Sequence, residues 1–166
     1  MHHFAPARLY RTILLLICVL PAATAWTQEG LPAYSRGYSA ERDPFADGRD
    51  AIALAQRSGR RILIEVGGDW CTWCHVLDRV IRDNREVERA LRDNFVVMKV
   101  NVSDANDNAE FMQGLPKVPG YPKLFVSRSD GSIIHAQDPS EFLRNGSYDA
   151  ALVLAFLRRW APHDGD

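Results

Sequence analysis

Cysteine is scarce in this chain: there are three in 166 residues, and only Cys71 and Cys74 lie beyond position 25. Two cysteines cannot make the multiply bridged scaffold of a small secreted domain. A single bridge between near neighbours closes too small a loop to add much stability. Structural zinc normally takes four Cys or His ligands, and beyond the N-terminus only His75, His135 and His163 could complete such a set. Neither sign of charge is in excess, with 20 Lys+Arg against 21 Asp+Glu and a net charge of −1. That balance gives no support to nucleic-acid binding, which calls for a concentrated basic patch, so no nucleic-acid partner is expected. Long apolar runs are also missing. The run from Thr12 to Leu20 is too short for a bilayer, which takes about 20 residues. No internal repeat or low-complexity tract is present.

What the N-terminus does have is a pattern. Arg8 and Arg11 precede the apolar run, no acidic residue accompanies them, and Ala23-Thr24-Ala25 closes the segment. Basic start, apolar stretch and small-residue exit are the parts of a cleavable secretory signal. A retained membrane anchor is the alternative. Residues 1–25 are therefore expected to be a signal peptide, 26–45 an extended lead-in, and 46–166 one domain. Without Arg8 and Arg11 the basic count falls to 18 against 21 acidic residues, a net charge of −3. The expected location is the periplasm, an oxidising compartment, and the expected state is a monomer.

Along the domain the apolar pattern alternates between helical and extended. Ala51, Ile52, Leu54 and Ala55 recur at helical spacing from Ala46 to Ser58, and Gly59 ends that segment. Ile62–Val66 is a β-branched run suited to a buried strand, and Gly67-Gly68-Asp69 breaks it. From Cys71 a helix is predicted with Trp73, Val76, Leu77, Val80 and Ile81 on its apolar face; Asn84 interrupts it, and Glu86–Asp93 resumes it. Phe95–Val102 is the next strand, and a short helix is expected at Ala109–Gln113. Three prolines between Pro116 and Pro122 exclude regular structure there. Lys123–Ser127 and Ser132–Ala136 flank Asp130-Gly131, a hairpin signal, and Tyr148–Trp160 closes the chain as a helix with Ser147 as N-cap. Strands separated by helices pair in parallel, and a terminal hairpin adds antiparallel strands. The fold class is α/β, a mixed central sheet with helices on both faces.

The chemistry concentrates in Trp70-Cys71-Thr72-Trp73-Cys74-His75, where strand and glycine break give way to a helix. The first helical turn has unpaired N–H groups and partial positive charge. A thiolate at Cys71 is stabilised there, and its pKa falls. One helical turn brings Cys74 beneath it, so the pair can close and reopen a bridge. Cys71 is expected to be the exposed attacker and Cys74 the buried group that resolves the mixed disulfide. Two other uses of the pair stay open: an inert bridge, and a c-type haem, since Cys71-x-x-Cys74-His75 is also that attachment pattern. The flanking β-branched strands speak against haem, whose small domains are mainly helical.

The stretch from Ile62 to Phe125 resembles the thioredoxin superfamily, and the similarity extends through the closing helix. Ile62-Leu63-Ile64-Glu65-Val66 followed by Trp70-Cys71-x-x-Cys74 is similar to that family's approach to its active site. Val118-Pro119-Gly120-Tyr121-Pro122 resembles its second signature, which implies a cis bond at Tyr121–Pro122, with Pro122 facing the cysteines. The resemblance also implies a proton acceptor for Cys74 at Glu65 and a lysine beside that acid at Lys99. Trp70, Trp73 and Tyr121 are implied as the contact surface for an extended polypeptide. His75 is a candidate modulator of the thiolate. Thr72-Trp73 between the cysteines departs from the Gly-Pro of thioredoxin itself, and the run Gly67–Trp70 with His75 looks closer to exported bacterial relatives.

The function implied is thiol–disulfide exchange with exported proteins or small thiols, leaning toward reduction, with no metal or organic cofactor. A membrane thiol donor is the expected electron source. The competing reading is a binding module that holds an exported client, its cysteines incidental.

Overall fold

A computed structural model of the chain describes residues 1–2 and 31–163. The signal-peptide reading, apart from Met1 and His2, and the first part of the lead-in lie outside the described residues. Among those described, no helix is long and apolar enough to cross a membrane.

Four strands make the central sheet: β1 (Arg61–Gly67), β2 (Phe95–Asn101), β3 (Lys123–Ser127) and β4 (Ile133–Gln137), in the order β2-β1-β3-β4. β1 runs parallel to β2, while β1–β3 and β3–β4 are antiparallel. Helices α1 (Ala33–Arg36), α2 (Pro44–Ser58), α3 (Thr72–Asp83), α4 (Arg85–Asn94), α5 (Ala109–Gln113) and α6 (Ala150–Arg159) surround it. The sheet is therefore mixed, as expected. β1 is buried along its whole length, which is why it reads as a mostly apolar run broken by Glu65 rather than an apolar–polar alternation. Its residues divide between two cores. Leu63 joins Leu77, Val87, Leu124, Phe156 and Leu157 on one face. Ile62, Ile64 and Val66 join Ala51, Ala55, Met98 and Phe125 on the other.

The element ends follow local chemistry. Asp43 caps α2 by accepting from Phe45 N, Pro44 occupies the first turn, and Gly59 ends the helix at φ 66°, a left-handed conformation that costs glycine least. In the β3–β4 hairpin, Gly131 takes φ 90° and Asp130 accepts from the Ser132 backbone N–H.

Two sequence expectations need correction. The lead-in is not simply extended: it contains α1, it buries Tyr34, Ser35 and Tyr38, and α2 starts at Pro44 instead of Ala46. The chain is anchored there by side chains, with Ser35 Oγ donating to the Val97 carbonyl and Arg42 paired with Asp47. The last helix begins at Ala150, capped by Asp149, whose carboxylate accepts from Ala151 N and Leu152 N. Ser147 cannot cap it, because Ser147–Tyr148 (β6) pairs with Leu143–Arg144 (β5) across Asn145-Gly146. Both turn residues have positive φ, at 50° and 80°, the geometry for which Asn-Gly is favoured. Before this hairpin, Pro139–Phe142 forms a 3-10 turn.

Candidate active site

β1 ends at Gly67 and α3 begins one residue after Cys71, so the cysteine pair sits where the sheet delivers the chain to a helix start. Cys71 is the N-cap, and Cys71 and Cys74 are joined by a disulfide with Cα atoms 5.3 Å apart. The Cys74 N–H donates to Cys71 Sγ at 3.2 Å. When the bridge is open, that donor and the positive end of α3 both favour a thiolate on Cys71.

Exposure differs from expectation. In the bridged state Cys71 is 3% exposed and Cys74 fully buried, so Cys71 is not an open surface thiol. Tyr38 and Tyr121 pack against the pair. The indoles around it are the exposed groups, Trp70 at 57% and Trp73 at 40%. Trp70 Nε1 donates to the Val102 carbonyl at 2.7 Å and its ring meets Tyr121 edge-on at 5.5 Å. Trp73 lies 5.2 Å from the Tyr148 ring.

The Tyr121–Pro122 bond is cis. Beside it runs a groove of about 300 Å³, lined by Trp73, Gly120, Tyr121, Pro122, Leu143 and Tyr148 among others. Leu143 and Tyr148 of the β5–β6 hairpin thus line a groove that Trp73 of the cysteine motif also borders. His75 is turned elsewhere: its Nε2–H donates to the Asp69 carbonyl at 2.8 Å.

Beneath the sulfurs lies a buried charged cluster. Parallel register places Glu65 directly opposite Lys99. Their side chains are 3% and 6% exposed, and Lys99 Nζ stands 3.5 Å from Glu65 Oε2. Lys99 makes its closer bonds to Asp78, at 2.6 and 2.7 Å. Tyr38 donates to Glu65 Oε1 at 2.6 Å. Burial raises the Glu65 pKa above the usual carboxylate range; Lys99 opposes that rise, Asp78 adds to it, and the Tyr38 hydrogen bond opposes it. Burial pulls Lys99 down, but Glu65 and Asp78 together outweigh it and the net direction is up. Two carboxylates around one ammonium leave Glu65 only partly compensated. It is a carboxylate that gains by taking up a proton.

The structure therefore brings together Cys71, Cys74, Glu65, Lys99, Trp70, Trp73, Tyr121 and Pro122, and leaves His75 bonded to the chain. Sequence reasoning missed Asp78 and Tyr38. Asp78 had a signal, since it stands four residues after Cys74 and so shares its helix face. Tyr38 had none, because the segment carrying it has no period.

Gly67 is required by close approach. A β-carbon there would lie 2.5 Å from Cys74 Sγ and 2.9 Å from Tyr38 Oη. Neither atom can yield easily, one held in the bridge and the other bonded to Glu65. Gly67→Ala is expected to destabilise the oxidised protein by about 1–3 kcal/mol, measured by urea unfolding. An unchanged midpoint would show that the site has slack.

Among the described residues no group of three or more His, Cys, Asp or Glu side chains could hold a metal ion. The sequence model of the thioredoxin-like family matches residues 43–128. A thiol:disulfide interchange protein DsbD from Pseudomonas sp. (strain JR1 / K1) is 29% identical over 129 residues, 78% of this chain. The chain spans 21% and 17% of the length of two such DsbD relatives, about a fifth. A disulphide isomerase structure from Xylella fastidiosa Temecula1 superposes with a TM-score of 0.63 at 25% identity, covering 79% of this chain and 97% of that one. The oxidised C-terminal domain of Neisseria meningitidis DsbD shares the fold, with a TM-score of 0.54 at 18% identity over 71% of this chain and 96% of its own. The chain belongs to the thioredoxin-like family, with the bridged cysteine pair and the fold of a thiol:disulfide oxidoreductase of the thioredoxin superfamily.

Proposed function

We propose that this protein exchanges thiols and disulfides with exported polypeptides in the periplasm and works mainly as a reductase. The observation that carries the reading is the bridged pair at the α3 start, with the Cys74 N–H on Cys71 Sγ and a buried acid below it. The Cys71 thiolate attacks a substrate disulfide and forms a mixed disulfide. Cys74 gives its proton to Glu65 and attacks Cys71 Sγ, which closes the protein bridge and releases the substrate sulfur as a thiolate. Lys99 and Asp78 set the charge around Glu65. Trp70, Trp73 and Tyr121 border the approach, and the backbone at Tyr121, next to a proline without an N–H, is available to an extended chain.

The leaning toward reduction is supported by the buried acid Glu65 and by the thioredoxin-like Trp70-Cys71 string. Reduction in an oxidising compartment consumes two electrons per turnover, so a membrane thiol donor must restore the open pair. The basic-then-apolar N-terminus supports export.

The test is the redox state of the pair in living cells, read by acid quenching and alkylation with a mass-shifting thiol reagent. A reductase is held mostly as free thiols. A pair found fully bridged at steady state would place the protein among the oxidants. Client binding and phenotype unchanged by Cys71→Ser would support the binding-module reading instead.

A further inference from the structure

Tyr38 comes from the irregular segment before α2, yet it is 7% exposed and its hydroxyl reaches the centre of the site. The hydroxyl donates to Glu65 Oε1 at 2.6 Å, the ring packs with Cys71 and Cys74, and Lys99 Nζ lies 4.9 Å from the ring centroid. Sulfur and hydroxyl flank the same bare glycine, Gly67, where a β-carbon would meet Cys74 Sγ at 2.5 Å and Tyr38 Oη at 2.9 Å. One side chain thus touches the acid, the cation and the resolving cysteine.

We propose that Tyr38 is a positioning residue for the resolving half of the reaction, fixing the orientation and basicity of the Glu65 carboxylate that takes the proton of Cys74. The proposal rests on Glu65 as acceptor of that proton. With Oε1 tied to Tyr38, Oε2 is left facing Lys99, and the carboxylate cannot turn freely. A hydroxyl bonded to a carboxylate is about twice as strong as a neutral pair, so Tyr38 favours the proton-free form of Glu65. The groups around it are Glu65 on β1, Lys99 on β2, Cys74 and Asp78 on α3, and Asp69 in the loop between β1 and α3. Of these, burial first and then Glu65, Asp78 and Asp69 hold the Tyr38 proton tightly. Tyr38 accordingly stays a neutral donor.

In the step it serves, the Cys74 thiol proton passes to Glu65. The Cys74–Cys71 bond forms as the bond from Cys71 to the substrate sulfur breaks. The electron pair leaves on that sulfur as a thiolate, which water protonates. The protein's two cysteines lose two electrons and the substrate disulfide gains them.

The experiment uses the reduced full chain and an aromatic disulfide whose thiolate product is coloured. Attack by Cys71 releases one equivalent of colour, and resolution by Cys74 releases the second, so the two phases are read separately across pH. Tyr38→Phe is expected to leave the first phase within about twofold. It should move the acid limb of the second phase up by about one to two pH units, a ten- to hundredfold slowing below the new limb. Glu65→Gln should abolish the limb, and the double variant should behave as Glu65→Gln alone. A fluorinated tyrosine in place of Tyr38, a stronger donor of the same shape, should move the limb down, which keeps the test independent of any packing loss in the phenylalanine variant. A Tyr38→Phe profile lying on the wild type, with Glu65→Gln still abolishing the limb, overturns the proposal. So does an equal Tyr38→Phe shift in the Glu65→Gln background. A profile indifferent to Glu65→Gln overturns the Glu65 reading instead.

Discussion

Cys74→Ser converts the protein into a trap: substrate disulfides attach to Cys71 and stay there. The serine keeps the backbone N–H that donates to Cys71 Sγ at 3.2 Å, so the first attack keeps its stabilised thiolate. The second step has no thiol to carry it out. Covalent complexes should accumulate at one substrate per chain on non-reducing gels and dissolve with dithiothreitol. Cys71→Ser should show neither adducts nor turnover, because Cys74 is fully buried and cannot receive a protein substrate. Turnover retained by Cys71→Ser, or a folded Cys74→Ser protein that captures nothing from an extract rich in disulfides, would contradict the order of attack.

Lys99→Met should cost about 3–5 kcal/mol of stability at neutral pH, the range for removing one partner of a buried charge pair. Among the described residues Lys99 is the cation paired with Glu65, whose side chain is 3% exposed. The sign with pH follows from linkage. Glu65 already has a native pKa raised above its ordinary 4.5, and Lys99 is the largest influence holding it down. Loss of Lys99 raises it further. A carboxylate whose folded pKa exceeds its unfolded value contributes its full stability below the unfolded pKa and loses it as pH rises through the folded one. Denaturation of Lys99→Met should therefore show near wild-type stability toward pH 4.5 and a growing deficit above it. Lys99→Met combined with Glu65→Gln should recover most of the loss. A deficit equal at all pH values would contradict the Glu65 pairing and place the effect of Lys99 in its bonds to Asp78 or its packed stem.

How far these groups could be read from sequence depended on what fixes each position. Cys71 and Cys74 lie in a short string at a strand-to-helix junction, so the motif alone placed them, while Pro122 was implied by the resemblance of its loop to the family's second signature. Glu65 and Lys99 were implied by the resemblance to the family, and the parallel register of their buried strands sets them opposite each other. The sheet and its hairpin were legible because β-branched runs and Asp130-Gly131 act locally. Tyr38 and the β5–β6 wall of the groove were not. Tyr38 is fixed by contacts with residues at 65, 67 and 99, distant in sequence. Asn145-Gly146 carried a turn signal between segments too short and too mixed to read as strands. Cys71 was expected to be the exposed attacker, yet in the bridged state it is buried and packed with tyrosines 38 and 121.

The central claim is that Cys71 and Cys74 form a reversible two-electron couple, and the most direct measurement is its equilibrium titration against glutathione or dithiothreitol. The account predicts one transition with about 30 mV per tenfold change in ratio, centred nearer the −270 mV of a reductant than the roughly −120 mV of a strong oxidant. A midpoint at the oxidising end would reverse the direction proposed here. No reversible transition at all would contradict the enzyme itself.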